Sequence, residues 1–185
     1  MTPSRLVALL LVLLSSVGAA QETGDSIAVS PTDWPWWRGP RSDGSANGDQ
    51  KPPLSWSATE HVLWKAEVPG RGHGSPTVVG DHVYLAACDE ASGSQSVLCY
   101  DRATGRRVWE TPVHPSGAMR KNAKSTGASS SVACDGERLF INFPNQGAVT
   151  TTALSREGKI LWQTKVSDYE IHQGYGSSPA PYRSG

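Results

Sequence analysis

One stretch of this 185-residue sequence has the residue types of a calcium-binding loop. From position 43 to position 49, oxygen-bearing side chains stand at alternate positions and glycine stands at the sixth, as in loops that wrap a calcium ion. Leu54 stands at the twelfth position, where such a loop needs a bidentate carboxylate, and two prolines replace the helix that should follow. The pattern therefore favours a polar surface loop over a metal site.

Other residue patterns also lack the context that catalysis or ligand binding would need. The glycine-rich residues 70–74 resemble a phosphate-binding loop, but Ser75, Pro76 and a strand-forming run follow, where a helix amino terminus should hold the phosphate. The five histidines show no zinc-ligand spacing, and no Gly-x-Ser-x-Gly nucleophile motif is present. Acidic residues fall in predicted turns, so the sequence nominates no catalytic base, no cofactor ligand and no metal ligand.

The elements that would position any site are short β-strands. Residues 21–33 are polar and aperiodic, which predicts a flexible lead-in. After them, brief β-favouring runs alternate with Gly, Asp and Ser turns, and no stretch shows helical periodicity. The clearest runs are residues 82–87, 96–100, 107–109, 138–141 and 159–162. We therefore predict an all-β fold.

Three similar segments recur along the chain and predict a repeat protein. Each segment closes with a tryptophan. The sequence before the second and third tryptophans predicts a tight turn, because glycine accepts positive φ while Asp and Thr side chains bond backbone amides. A period of about 40 to 55 residues that holds four short strands is what one blade of a β-propeller requires. The residues that carry the repeat are Trp64, Asp101, Thr104, Gly105, Trp109, Gly158 and Trp162.

Residues 100–109, Tyr-Asp-Arg-Ala-Thr-Gly-Arg-Arg-Val-Trp, resemble the tryptophan-docking motif of the pyrroloquinoline-quinone-like (PQQ-like) repeat propellers. The Trp-Arg-Gly-Pro sequence at 37–40 is similar to the opening of many exported bacterial members. The resemblance implies blades of four antiparallel strands and an incomplete propeller over residues 34–185. Its predicted parts are an opening segment 34–64, a blade 72–113, a blade 127–166 and the start of a further blade 174–185.

About two and a quarter blades are fewer than the 4 to 8 of a closed propeller. We therefore expect either an amino-terminal fragment of a longer protein or a chain that assembles with others, since exposed strand edges invite association. Glycine- and serine-rich loops recur at the start of each predicted blade, around residues 72, 127 and 174. Such loops should ring the propeller axis, and the residues predicted to line a shared axial binding face are His73, Lys124, Ser129 and Tyr175.

The three cysteines are too few for a disulfide-built scaffold. Cys88 and Cys99 flank a polar loop at a spacing that suits facing strands of a hairpin, so a disulfide between them is possible, although the sequence favours two buried free thiols. Cys134 is then a small core residue.

The amino terminus and the charge balance indicate an exported protein. Arg5, an apolar run over residues 6–14 and small residues at 18–20 form the three parts of a secretory signal, so we predict that residues 1–20 are a signal peptide. The apolar run is far shorter than the roughly 20 residues of a transmembrane helix, and no later segment approaches that length. With 17 basic and 17 acidic residues, the chain lacks the basic bias of a nucleic-acid binder. We expect a periplasmic or extracellular location and no transmembrane segment.

Three functional hypotheses follow from the resemblance, because the PQQ-like family includes both enzymes and assembly factors. The leading one is an exported, non-enzymatic propeller that binds or scaffolds a protein partner or itself, needs no cofactor and acts in envelope or outer-membrane protein assembly. The alternative is the amino-terminal part of a quinone-dependent dehydrogenase, which would require PQQ and calcium. A second alternative is a propeller that binds a carbohydrate or another small ligand.

Overall fold

The computed structural model describes residue 27, residues 29–119 and residues 122–182. The predicted signal peptide, residues 1–20, lies outside the described residues, as does most of the lead-in. Within the described part the regular elements are all β-strands. No helix there is long and apolar enough to cross a bilayer.

The strands form two four-stranded antiparallel sheets, each of which follows the order of the sequence. The first sheet contains β1 (Thr77–Val79), β2 (His82–Asp89), β3 (Ser94–Asp101) and β4 (Arg107–His114). The second contains β5 (Ala133–Cys134), β6 (Arg138–Asn145), β7 (Ala148–Ser155) and β8 (Ile160–Asp168). The prediction of an all-β fold with blades of four antiparallel strands is confirmed.

The turn between β6 and β7 shows why these strands pair as they do. Asn145 faces Ala148 in the ladder, which leaves a two-residue turn. Gln146 and Gly147 in that turn have φ values of 46° and 82°. Two consecutive left-handed residues match the twist of antiparallel strands, so this turn fixes the hairpin register.

The hydrophobic core lies between the two sheets. Alternate residues of β6 point toward the first sheet, and Leu139, Ile141 and Phe143 are fully buried there. Tyr84 and Val97 of the first sheet belong to the same buried cluster and are also fully enclosed. The sheets therefore stack face to face like successive blades, with period-2 alternation deciding which side chains enter the core.

Trp64 and Trp109 of the repeat each contact the tight turn of the next sheet along the chain. The indole nitrogen of Trp109 donates to the carbonyl of Arg156 at 3.0 Å, and a Cβ built on Gly158 would lie 2.8 Å from the Trp109 ring. Trp64 donates in the same way to a backbone carbonyl of the turn between β3 and β4, at 2.9 Å, and its ring lies against Gly105. The glycines are therefore needed both for their positive φ and for the space that the indole fills.

Asp101 and Thr104 hold the turn between β3 and β4 together. One carboxylate oxygen of Asp101 accepts from the Thr104 amide at 2.8 Å and from the Thr104 hydroxyl at 2.6 Å. These bonds lower the pKa of Asp101 below its ordinary value. Trp162, the third tryptophan of the repeat, lies near Phe140 on the face of the second sheet that points away from the first, and it is partly exposed.

The opening segment ties the innermost strands of the two sheets together. Trp34 forms an antiparallel bridge with Val78 of β1, and the carbonyl of Pro35 accepts from the amide of Cys134 in β5 at 2.8 Å. A carboxylate oxygen of the buried Asp33 accepts from the amide of Gly80 at 3.0 Å. Residues 33–35 therefore act as an added strand between the sheets.

The structure excludes the possible disulfide between Cys88 and Cys99. In the β2–β3 ladder Cys88 faces Gln95, whereas Cys99 faces Tyr84. The two cysteines therefore stand four ladder positions apart, roughly 13 Å along the strand direction, while a disulfide requires Cα atoms within about 7 Å. No disulfide joins them, and both are buried, as is Cys134.

Candidate functional site

The three start loops, residues 70–76, 127–132 and 174–179, lie side by side through a repeated hydrogen bond. The Ser75 amide donates to the Ser131 hydroxyl at 2.8 Å, and the Ser131 amide donates to the Ser178 hydroxyl at 2.9 Å. The His73 amide donates to the carbonyl of Ala128 at 3.0 Å, one step earlier along the same loops. The serines that recur in the sequence thus connect each loop to the next.

An open cavity of about 350 Å³, which we call the start-loop concavity, lies where these loops meet. All four residues that the sequence analysis proposed for an axial face line it: His73, Lys124, Ser129 and Tyr175. The structure therefore brings the four residues together, while their role in binding stays a prediction. Sequence reasoning missed the polar side chains that complete the lining, which are Asn122, Ser125 and Gln173.

Asn122 joins two walls of the start-loop concavity. Its side-chain nitrogen donates to the Gln173 side-chain oxygen at 3.0 Å, and its side-chain oxygen accepts from the Lys124 amide at 2.8 Å. Its backbone carbonyl accepts from the Ser125 hydroxyl at 2.8 Å. One asparagine therefore connects the Lys124 backbone to the Gln173 side chain.

Tyrosine packing forms the third wall. The rings of Tyr169 and Tyr175 meet edge to face with 5.5 Å between centroids, and the Tyr169 hydroxyl donates to the carbonyl of Gly174 at 2.8 Å. Burial raises the pKa of the Tyr175 phenol, so the phenol stays protonated at neutral pH. The wall is consequently polar and uncharged.

The lining of the start-loop concavity does not carry the ligands that a calcium ion needs. Calcium takes 6 to 8 oxygen ligands and usually several carboxylates, but the residues that line the start-loop concavity include a lysine and a histidine and no acid. Across the described ranges, no three His, Cys, Asp or Glu side chains are placed to hold a metal ion.

The calcium-like loop at 43–49 is organised around an arginine. The Arg41 guanidinium donates to the Asp43 carboxylate at 3.3 Å and to the Asn47 side-chain oxygen at 3.1 Å. The second carboxylate oxygen of Asp43 accepts from the Ser45 amide at 2.7 Å, which lowers the pKa of Asp43. The side-chain oxygens of Asp43 and Asn47, two of the four oxygen-bearing side chains of the pattern, are therefore engaged with donors of the chain itself.

Comparison with known proteins identifies the family. No curated protein matches the chain. The family model described as outer membrane protein assembly factor BamB matches residues 50–175, a range that contains both sheets, the tryptophan contacts and the four predicted residues of the start-loop concavity. The match confirms the resemblance inferred from the sequence. The chain therefore belongs to the PQQ-like repeat family represented by the outer membrane protein assembly factor BamB.

Proposed function

We propose that the chain is an exported, non-enzymatic binding module whose start-loop concavity receives a protein partner in the cell envelope. The observation that carries this proposal is the convergence of three loops, far apart in sequence, on one open cavity that carries several polar side chains in its lining. Loops that a rigid scaffold holds together are the usual place for binding residues. The stacked sheets provide that scaffold here.

Two further observations support a protein partner and an exported location. The matched family model is named for a factor in outer membrane protein assembly. The first twenty residues carry the charge, apolar run and small residues of a secretory signal. Together they favour a partner that is met outside the cytoplasm.

Site-specific photo-crosslinking in the full chain tests the proposal. A photo-reactive phenylalanine analogue replaces the exposed Gln173 of the start-loop concavity, and the matched control carries the analogue at Ser167, which is exposed on β8. We expect a discrete protein adduct from position 173 in cells and none from position 167. An adduct of twice the mass of the chain identifies a second copy as the partner. Equal adducts from both positions, or none from position 173, would contradict the proposal.

The enzymatic alternative has its own discriminating assay. Dye-linked oxidation of alcohols or sugars by the purified full chain, with added PQQ and calcium, should stay at the level of the protein-free control. Turnover that depends on both additions would replace the binding proposal with a quinone-dependent dehydrogenase. Saccharide binding in a glycan screen, without a protein adduct, would favour the third hypothesis.

A further inference from the structure

In the start-loop concavity, several hydrogen-bond acceptors are already paired within the protein, whereas some donors are not. The amide oxygens of Asn122 and Gln173 both accept hydrogen bonds from the chain, from the Lys124 amide and the Asn122 side chain respectively. The carbonyls of Asn122 and Gly174 are also occupied, by the hydroxyls of Ser125 and Tyr169. These acceptors are thus already committed within the protein.

Two strong donor groups of the lining remain without a partner. The Lys124 ammonium and the Gln173 side-chain nitrogen make no hydrogen bond or ion pair within the described part of the chain, and both residues are exposed. The exposed ring of His73 also has no bonded partner among the described residues, and a neutral imidazole offers one donor and one acceptor. An ammonium has three donors and no acceptor, and a primary amide nitrogen has two donors. A ligand that pairs with these groups must supply acceptor oxygens.

The local charge agrees with this chemistry. No residue that lines the start-loop concavity is acidic. The sequence between Glu110 and Asp135 contains three basic residues and no acidic one, although the whole chain has equal numbers of both. Two of these three, Arg120 and Lys121, lie outside the described residues, so Lys124 is the one Lys or Arg that the structure places in the lining. A cation in a lining without acids would favour an anionic group.

We infer that the start-loop concavity binds carboxylate side chains of an acidic segment in the protein partner, with Lys124 and Gln173 as the donors that recognise them. This inference rests on the proposed function, since it assigns the chemistry of the partner at the same site. A carboxylate offers two oxygens, which suits an ammonium and an amide nitrogen carried by two residues that Asn122 links. A lysine-rich partner would meet like charge there, and a purely apolar one would leave the donors without partners.

Peptide binding to the full chain tests this recognition directly. Fluorescence anisotropy compares three labelled peptides of equal length, one rich in glutamate, one in which glutamine replaces each glutamate, and one rich in lysine. We expect measurable binding of the glutamate peptide alone, weakening as salt is raised from about 20 to 200 mM, because exposed charges are screened over a Debye length of roughly 10 Å at 0.1 M.

Variants locate the binding in the start-loop concavity. Lys124→Glu should weaken binding of the glutamate peptide by about fivefold or more, and Gln173→Leu, which keeps the charge, by about twofold to fivefold. Lys51→Glu makes the same charge change at an exposed residue outside the concavity and should change the dissociation constant by less than about twofold. Circular dichroism and melting temperature confirm that each variant is folded.

The outcomes separate this inference from the proposed function. Equal binding of the glutamine peptide, or equal weakening by Lys51→Glu and Lys124→Glu, overturns the carboxylate inference. If position 173 still crosslinks a protein in that case, the proposed function stands with a different recognition chemistry. If the glutamate peptide binds through Lys124 but no protein adduct forms, the carboxylate chemistry stands and the protein-partner function fails.

Discussion

The amide of Ser75 donates a hydrogen bond to the hydroxyl of Ser131, 2.8 Å away, although the two serines belong to start loops of different blades. Ser131 repeats the relationship with Ser178 at 2.9 Å. Ser131 thus presents its hydroxyl to the loop before it and its amide to the loop after it. The recurrence of serine in the sequence reflects this requirement, because an alanine would keep the amide and lose the acceptor.

Replacing Ser131 with alanine should loosen the contact between the first two start loops. The Ser131 side chain is buried, and its removal takes the acceptor from the amide of Ser75, an exposed residue. We expect Ser131→Ala to lower the free energy of unfolding by about 1 kcal/mol, the usual effect of losing one such hydrogen bond. Urea unfolding followed by circular dichroism measures the change. Ser167→Ala on exposed β8 is the control and should stay within about 0.5 kcal/mol of the parent; equal losses in the two variants would refute a special role for Ser131.

Alanine substitutions at two glycines distinguish the cost of backbone strain from the cost of a lost tryptophan contact. Gly147 and Gly158 have φ values of 82° and 88°, so alanine is strained at either position by about 1 kcal/mol. A Cβ at Gly147 meets nothing within 4 Å, whereas a Cβ at Gly158 would lie 2.8 Å from the Trp109 ring. We therefore expect Gly158→Ala to cost about 1 to 3 kcal/mol more than Gly147→Ala in urea unfolding, since overpacking displaces the indole.

The Trp109 environment provides an independent measurement for the same pair. Displacement of the ring should change the tryptophan fluorescence of folded Gly158→Ala and leave that of Gly147→Ala like the parent. If the two variants lose equal stability and keep equal spectra, the indole does not depend on the glycine.

The features that depend only on residues close together in the sequence could be predicted from the sequence. The turn at Asp101 and Thr104 and the tryptophans follow from residue types alone, and so does the all-β class. Strand β7 escaped prediction because Thr150, Thr151 and Thr152 break the apolar alternation, although Thr152 is fully buried beside Ile141. A polar β-branched strand between two neighbours is visible only once its pairing is known.

Long-range register explains what sequence spacing could not give. The spacing of Cys88 and Cys99 suits a hairpin, but the turn joins Asp89 to Ser94, which makes Gln95 the residue opposite Cys88. A different turn centre would have changed every pair, because register follows turn geometry. The contact between the side chains of Asn122 and Gln173 spans 51 residues and has no local signal, so the concavity could be predicted only where the repeat marked it.

Thiol chemistry should report the buried state of Cys99. Burial raises the pKa of its thiol from 9.0 to about 12, so almost no thiolate is present at pH 8 and alkylation of the folded chain should be very slow. In guanidinium without reductant, a thiol assay should count all three cysteines, since no disulfide is formed. Ser167→Cys, with its exposed position on β8, should react within minutes in the folded protein and validates the reagent. A count of one thiol after unfolding would restore the disulfide that the register excludes.

The stability of the two-sheet unit should fall as the pH drops through the histidine range, and His114 should contribute to that fall. Its ring meets Phe143 edge to face with 6.1 Å between centroids, and its Nε2 atom is buried without a hydrogen-bond partner among the described residues. Burial lowers the pKa of His114 below its ordinary value of 6.5. The unfolded chain therefore takes up a proton before the folded chain does, so stability is highest above about pH 7 and decreases as the pH falls through 6.5.

His114→Phe should remove this dependence, because a phenyl ring fills the same site and does not titrate. Urea unfolding at pH values from about 8 to about 5.5 should give a smaller loss of unfolding free energy for His114→Phe than for the parent chain. His172→Phe replaces an exposed histidine and should keep the slope of the parent. Identical slopes for the parent and His114→Phe would show that the ring is protonated in the folded state as easily as in the unfolded one, and the buried environment assigned to Nε2 would then be incorrect.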